Sequence, residues 1–110
     1  MSYIPDQGDI IYIDFDPAVG REIQKRRPAL VMSKQLLAKK TGYVLVCPIT
    51  STKRGIALEV NIDTPTIKGQ ALSMQIKSLD YRQRHAEFVD KADWTSISMM
   101  SDILQELVSV

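Results

Sequence analysis

The chain has few of the side chains on which disulfide frameworks, metal centres and histidine catalysis depend. Its 110 residues include one cysteine, one histidine and one tryptophan. A single cysteine cannot form an intramolecular disulfide, and structural zinc sites usually take four Cys or His ligands. One histidine also excludes an acid–base pair of two histidines. We therefore expect no bound metal and no cofactor.

Long hydrophobic runs are also absent. No apolar segment approaches the ~20 residues of a membrane-spanning helix, and the N-terminus lacks a signal-peptide pattern. A chain of this length corresponds to one domain, residues 1–110, and is long enough to bury a core of its own. These features predict a cytoplasmic protein with no membrane partner.

Acidic residues are nearly missing from one long segment. Residues 17–58 contain nine basic residues and one acid, Glu22, a net charge of +8; the remainder has five basic and twelve acidic residues, a net charge of −7. Basic residues concentrated in one segment favour a polyanionic partner such as a nucleic acid. A solvated basic face without a partner is the alternative, and composition does not separate the two.

Several short stretches have the residue pattern of β-strands, because they are rich in β-branched residues and are bounded by turn residues. The predicted strands are 9–15, 28–33, 43–49, 57–62, 70–76 and the short segment 86–89. Ser33 is expected to cap a short helix from Lys34 to Lys40. Closely spaced short strands predict a mainly β fold with some α (α+β), a small antiparallel barrel or strongly twisted sheet.

The C-terminal segment has helical periodicity instead. Apolar residues recur at helical spacing between positions 94 and 108, and Asp93 is a favourable N-cap. We expect an amphipathic helix that covers one side of the sheet. Trp94 and the pair Met99 and Met100 are predicted to belong to its core-facing side.

The segment between the first two predicted strands looks least like a packed core. Five of the seven residues from Arg21 to Arg27 are charged, and Glu22 is the only acid among them. Hydroxyl groups follow in a second basic turn, at Thr50, Ser51 and Thr52. Cations, hydroxyls and one carboxylate suit metal-free cleavage of RNA, which supplies its own 2′-OH nucleophile. A noncatalytic nucleic-acid binder would have the same basic turns.

A nucleophile pair of Cys47 and His85 is the other chemistry that the composition allows. Cys47 lies in the apolar run YVLVCPI, where free cysteine behaves as a small buried hydrophobic residue, and His85 lies in the polar stretch RQRHAE. We therefore expect a buried Cys47 and an exposed His85, neither of them catalytic.

Four short motifs occur in order along the chain. They are GDI-x-x-x-DFDP-x-x-G-x-E from Gly8, RPALV-x-S from Arg27, P-x-T ending at Thr50 and MQIKSLD from Met74. Together they resemble the MazF/PemK family of toxin endoribonucleases, from Gly8 through the terminal helix. The resemblance implies an SH3-like barrel with a C-terminal helix, a homodimer, and metal-independent cleavage of single-stranded RNA that leaves 2′,3′-cyclic phosphate and 5′-OH ends. It also implies a cognate antitoxin whose flexible, acidic C-terminal segment covers the RNA groove.

The resemblance assigns roles to individual residues. The catalytic residues that it implies are Glu22, Arg27 and Thr50. The residues expected to bind RNA are Arg21, Lys25, Arg26, Ser51, Thr52, Lys53, Arg54, Gln75 and Lys77. The PemK/Kid branch has an Arg-x-Asp pair before the glutamine that matches Gln75. This chain has Leu72 and Met74 there and resembles the MazF branch, although its first loop reads GREI where many relatives read GSEQ.

Arg26 and Arg27 are expected to differ despite being neighbours. Pro28 restricts Arg27 to an extended backbone, and adjacent side chains of an extended segment point to opposite faces. Only one of the two can readily face a scissile phosphate, and the family's RP dipeptide selects Arg27. A surface salt bridge between Arg27 and Glu22 is the alternative role.

Two other functions fit the same fold. A CcdB-like toxin would bind a topoisomerase and cleave nothing, and a degenerate relative would retain only antitoxin binding. The terminal helix is central to the CcdB-like mode, which does not need a basic first loop. The arginine-rich loop therefore favours the nuclease.

We predict that the purified protein cleaves long single-stranded RNA in excess EDTA, because no cluster of potential metal ligands is apparent in the sequence. The measurement is gel analysis of the RNA with and without chelator. Loss of cleavage on chelation that a divalent ion restores would contradict a metal-independent reaction.

Overall fold

A computed structural model of the chain describes residues 3–52, 55 and 58–110. The elements within these residues are, in chain order, β1 (Asp9–Asp14), β2 (Arg26–Val31), α1 (Gln35–Thr41), β3 (Tyr43–Thr50), β4 (Glu59–Asp63), β5 (Lys68–Leu72), a 3₁₀ turn (Ser73–Gln75), β6 (Lys77–Asp80), β7 (Glu87–Lys91) and α2 (Trp94–Leu107). The predicted α+β class, with a helix after the last strand, is confirmed.

The strands form one curled antiparallel sheet. Their order is β4–β5–β3–β2–β1–β7, and β6 pairs with β3 beside β5. The two ends of this order approach each other, because Thr66 in the β4–β5 turn donates a hydrogen bond of 2.7 Å to Asp90 of β7. The expectation of a small antiparallel barrel or twisted sheet is confirmed.

The predicted strand 70–76 is wrong in its second half. β5 ends at Leu72, the 3₁₀ turn follows, and β6 then continues along the same edge of β3. Ser73 is fully buried, and both its N–H and its hydroxyl donate to the Leu58 carbonyl, at 3.3 and 2.7 Å. This partner satisfies the polar groups of Ser73 and draws the residue out of the ladder. The predicted start of the fourth strand, at position 57, lies outside the described residues.

Apolar side chains are buried on both faces of the sheet. One cluster lies between the sheet and α2 and includes Ile10, Leu30, Cys47, Ile62, Ile97 and Met100. The other includes Ile13, Phe15, Ile23, Ala38, Val44 and Tyr81. Because β3 contributes to both clusters, its residues from Val46 to Thr50 are buried throughout instead of alternating.

The predicted cap of α1 is wrong. The Ser33 hydroxyl accepts a hydrogen bond from the Leu45 N–H at 2.9 Å and is therefore used to hold β3. The helix begins at Gln35, whose N–H donates to a carboxylate oxygen of Asp6 at 3.0 Å. A residue distant in sequence thus satisfies an N–H group that a local serine was expected to satisfy.

The helix α2 begins as predicted but faces the sheet differently. Asp93 accepts a hydrogen bond from the Ser96 N–H at 2.8 Å, and its bonds to Ser96 lower the pKa of its carboxyl. Met100 is fully buried, whereas Trp94 and Met99 are 74% and 50% exposed. The core-facing role predicted for Trp94 and Met99 is therefore wrong. In the described residues, neither helix has the length and hydropathy that a bilayer crossing requires.

The two adjacent methionines give a matched test of this packing. We expect Met100→Ala to lower the free energy of unfolding by about 2–5 kcal/mol, because it leaves a cavity under α2. Met99→Ala should change it by less than about 0.5 kcal/mol, because half of that side chain is in water. Urea denaturation at one protein concentration measures both values. Equal effects would show that α2 packs on the sheet through another face.

Candidate active site

The segment between β1 and β2, residues 15–25, is named here the first loop, and it is firmly held. The Phe15 N–H donates to the Lys25 carbonyl at 2.8 Å and closes the base of the loop. Ile23 is buried in the second core cluster, and its N–H donates to the side-chain oxygen of Gln75 at 2.7 Å. Gln75 therefore positions the loop from the 3₁₀ turn, a role that its assignment as an RNA contact did not anticipate.

Glu22 lies on the exposed side of the first loop. Its Oε1 accepts a hydrogen bond from the Val19 N–H at 2.9 Å and forms an ion pair with Lys77 Nζ at 3.4 Å. The Val19 amide and, after it, Lys77 hold the pKa of the Glu22 carboxyl below its usual value. The carboxylate is thus ionised at neutral pH, the form that can accept a proton. Its ion pair is formed with Lys77 and not with Arg27.

Arg27 lies between the first loop and a cleft. Its Nε donates to the Gln24 carbonyl at 3.1 Å. The cleft has a volume of about 270 Å³ and is lined by three stretches: Tyr12, Arg27 and Pro28 from β1 and β2, residues 49–51 at the end of β3, and residues 66–68, which end the β4–β5 turn and begin β5. The structure therefore brings Arg27 and Thr50 to one cavity, while Glu22 lies outside its lining.

Thr50 is the last residue of β3 and is buried. Its hydroxyl oxygen accepts a hydrogen bond from the Thr52 N–H at 3.3 Å, which leaves the hydroxyl hydrogen able to donate. β5 comes close at this point because residue 69 is a glycine. A Cβ at Gly69 would lie 2.5 Å from the Thr50 carbonyl oxygen, closer than such contacts occur in proteins. The close approach of the two backbones holds Thr50 in the cleft wall.

Arg26 is held by carboxylates instead. Its guanidinium contacts Asp14 at 3.1 Å and Glu87 at 2.6 Å, and Asp14 also contacts His85 Nδ1 at 2.8 Å. Hydrogen bonds from His85 and Arg26 lower the pKa of the Asp14 carboxyl. Arg26 and Arg27 are thus adjacent in sequence but differ in surroundings. Two acids neutralise Arg26, whereas Arg27 lines the cleft.

The other residues predicted to bind RNA fall into three groups. The exposed ones are Arg21, Lys25, Ser51 and Thr52. Lys77, like Gln75, is engaged by the first loop. Lys53 and Arg54 lie outside the described residues.

Three residues of the cleft lining have polar side chains that were not among the predicted site residues: Tyr12, Thr66 and Lys68. Alternation within β1 was a usable signal for Tyr12, because in a strand its side chain points to the face opposite those of its neighbours Ile11 and Ile13. In the structure Tyr12 is the one exposed residue of β1. Thr66 in the β4–β5 turn and Lys68 at the start of β5 belong to no recognisable motif.

The alternative pair of Cys47 and His85 is not formed. Cys47 is fully buried, and burial raises the pKa of its thiol to about 12. His85 is exposed and contacts Asp14, so the predicted environments of both residues are confirmed. Among the described residues, no three or more His, Cys, Asp or Glu side chains form a group that could hold a metal ion.

The chain can be compared with known proteins on this basis. Residues 6–108 match the family described as the PemK-like, MazF-like toxin of type II toxin–antitoxin systems. This chain belongs to that family. Endoribonuclease toxin MazF of Escherichia coli strain K12 is 42% identical to this MazF-like toxin over 84 residues, which are 76% of each chain.

Solved structures agree with the fold. MazF from Deinococcus radiodurans has a TM-score of 0.93 and 33% identity, covering 99% of this toxin and 100% of that chain. A MazE–MazF structure from the same organism has a TM-score of 0.86 and 30% identity, covering 99% of both chains. These relatives support the endoribonuclease toxin and not the CcdB-like alternative.

The contact between Lys77 and Glu22 leads to a direct test. We predict that Lys77→Met raises the pKa of Glu22, because the ammonium that stabilises the carboxylate is removed. Titration of the Glu22 carboxyl carbon by NMR measures the change, and Lys39→Met on α1 is the control. An unchanged pKa in Lys77→Met would show that the ion pair does not persist in solution.

Proposed function

We propose that this toxin cuts single-stranded RNA at short sequences without a metal ion, and so inhibits translation and growth. The observation that carries the proposal is the shared cleft of Arg27 and Thr50, beside a loop that keeps Glu22 ionised. Gln24, which binds Arg27, is two residues beyond Glu22, so the carboxylate and the guanidinium lie at the two ends of one short, fastened stretch.

In the proposed reaction Glu22 removes the proton of the RNA 2′-OH. The 2′ oxygen then attacks the adjacent phosphorus, and the bond from phosphorus to the 5′ oxygen breaks. The products are a 2′,3′-cyclic phosphate and a 5′-OH end, the departing oxygen taking up a proton. Glu22 is unprotonated at the working pH, as a base must be, and its lowered pKa makes it a weaker base than an unperturbed glutamate.

Arg27 is proposed to stabilise the charge that develops on the phosphorane. A guanidinium is always charged and can contact two phosphate oxygens at once. The bond to the Gln24 carbonyl uses Nε alone and fixes the side chain, so the Nη groups can bind phosphate. The Thr50 hydroxyl is proposed to donate to the same phosphate, because Thr50 lines the same cleft.

The proposed partners are single-stranded RNA, a second copy of the chain and a cognate antitoxin. The MazE–MazF structures of a relative support the antitoxin as a partner. An acidic, flexible antitoxin segment suits the basic segment 17–58, because both it and RNA are polyanions. We place the toxin in the cytoplasm, where its RNA substrate is found.

The adjacent arginines test the catalytic assignment. We expect Arg27→Ala to lower the single-turnover cleavage rate about 100-fold or more, because a charge contact with the transition state is lost. Arg27→Lys should not restore the rate, because an ammonium cannot make the bidentate contact. Arg26→Ala is the matched control and should alter mainly RNA affinity, and modestly, because Asp14 and Glu87 already neutralise Arg26.

Glu22→Gln completes the set. It should slow the chemical step without weakening RNA binding, since it removes a negative charge next to a polyanion. Affinity is measured separately on a 2′-deoxy substrate analogue that cannot react. If Arg26→Ala and Arg27→Ala lose activity equally, and only through affinity, the loop is a binding surface and the proposed mechanism fails.

A further inference from the structure

The wall of the cleft away from the first loop takes no part in the proposed reaction. It consists of Tyr12 from β1, Thr66 from the β4–β5 turn and Lys68 at the start of β5. Tyr12 is 39% exposed and lies directly across from Pro28 in the β1–β2 pairing. Its ring therefore lies next to the residue that follows Arg27.

The turn that carries Thr66 is rigid and oriented. The buried Thr64 hydroxyl oxygen accepts hydrogen bonds from the N–H groups of Thr66 and Ile67, at 3.3 and 2.9 Å. The Thr66 hydroxyl donates to Asp90 at 2.7 Å and lies 3.4 Å from the Thr64 hydroxyl, and its oxygen has two lone pairs, so it can accept a further hydrogen bond. Asp90 thus holds in place a hydrogen-bond acceptor in the cleft wall.

Lys68 supplies positive charge at the same wall. Its ammonium contacts Asp63, and the two side chains are 72% and 64% exposed. Exposed ion pairs of this kind contribute little to stability, so a phosphate group can compete with Asp63 for the ammonium. The wall therefore combines an aromatic face, an oriented acceptor and an available cation.

We propose that Tyr12, Thr66 and Lys68 form a nucleotide subsite for the RNA residue that adjoins the scissile phosphate. In this subsite the Tyr12 ring stacks on the base, the Thr66 oxygen accepts a hydrogen bond from the base, and Lys68 contacts the next phosphate. Asp90 is a positioning residue, because it acts through Thr66. The inference rests on the proposed function and deepens it.

The size and the chemistry of the cleft favour a single nucleotide. A volume of about 270 Å³ is near the small end of ligand sites, which run from roughly 300 to 1,000 Å³. Proteins that read single-stranded RNA stack unpaired bases on aromatic rings and contact the flanking phosphates with cations. Because Arg27 and Thr50 line the same cleft, a nucleotide bound here is directly connected to the phosphate that they hold.

The test uses the full-length protein and a short RNA whose cleavage position has been mapped. Affinity is measured on the 2′-deoxy analogue, either intact or with one base at a time removed. We expect Tyr12→Ala to weaken binding of the intact analogue about 5- to 150-fold, the usual effect of losing one stacked base. Tyr12→Phe should bind almost normally, because the ring is retained. Removal of one base next to the cleavage position should abolish the difference between wild type and Tyr12→Ala.

Two further variants test the subsite even if Tyr12→Ala does not fold. Lys68 is exposed, and Lys68→Met should lower the slope of log affinity against log salt concentration by the amount expected for about one phosphate contact. Lys39→Met should leave that slope unchanged. Asp90→Asn should weaken discrimination between bases at the same RNA position with unchanged salt dependence. Thermal denaturation establishes that each variant is folded.

The outcomes separate this inference from the proposed function. If wild type cleaves RNA but Tyr12→Ala binds every analogue as wild type does, the subsite is wrong and the nuclease stands. If Tyr12→Ala binds more weakly than wild type whichever base is removed from the analogue, the subsite is also wrong. If binding of the analogues depends on Tyr12 as expected but Arg27→Ala and Glu22→Gln cleave the RNA as fast as wild type, the subsite stands and the proposed reaction is wrong.

Discussion

Strand β3 pairs with three other strands along its eight residues, and the candidate site depends on that pairing. β2 pairs with one edge, while β6 and then β5 pair with the other. The change of partner occurs across Cys47 and Pro48, and a proline, which has no N–H to donate, is tolerated where a ladder bond is not needed. The absence of a side chain at Gly69 then allows β5 to approach the end of β3. As a result Thr50 reaches the cleft that Arg27 lines.

Carboxylates sort the basic residues of this toxin into different roles. Asp14 and Glu87 neutralise Arg26, and Glu22 engages Lys77. Arg27 is bound instead by a backbone carbonyl, which orients its guanidinium without cancelling its charge. The net charge of +8 over residues 17–58 therefore overstates the charge that is free to bind a polyanion. The local arrangement of acids decides which cations remain available.

Much of the fold followed from local pattern. The strand stretches, the Asp93 cap and the terminal helix were predictable because periodicity and capping act within a few residues of each other. β6 was not predicted as a separate strand. The 3₁₀ turn that separates it from β5 begins at the buried Ser73, whose hydroxyl donates to the Leu58 carbonyl, a partner from another part of the chain. The cap of α1 was mispredicted for the same reason, since Asp6 reaches Gln35 from 29 positions away. Helical spacing predicts which residues share one face of α2, but not how far the buried part of that face extends. The exposure of Trp94 could therefore not be predicted.

Motif order and residue type were enough to predict the family, the α+β class, and the candidate residues Glu22, Arg27 and Thr50, because both are properties of the chain alone. Which of those groups meet depends on the folded chain. It joined Arg27 to Thr50, fastened the first loop through Gln75, and added Tyr12, Thr66 and Lys68 to the cleft. The physical reason is that hydrogen bonds, ion pairs and steric contacts depend on distances of a few ångströms. Those distances, between residues far apart in sequence, are set by strand register and by the curl of the sheet.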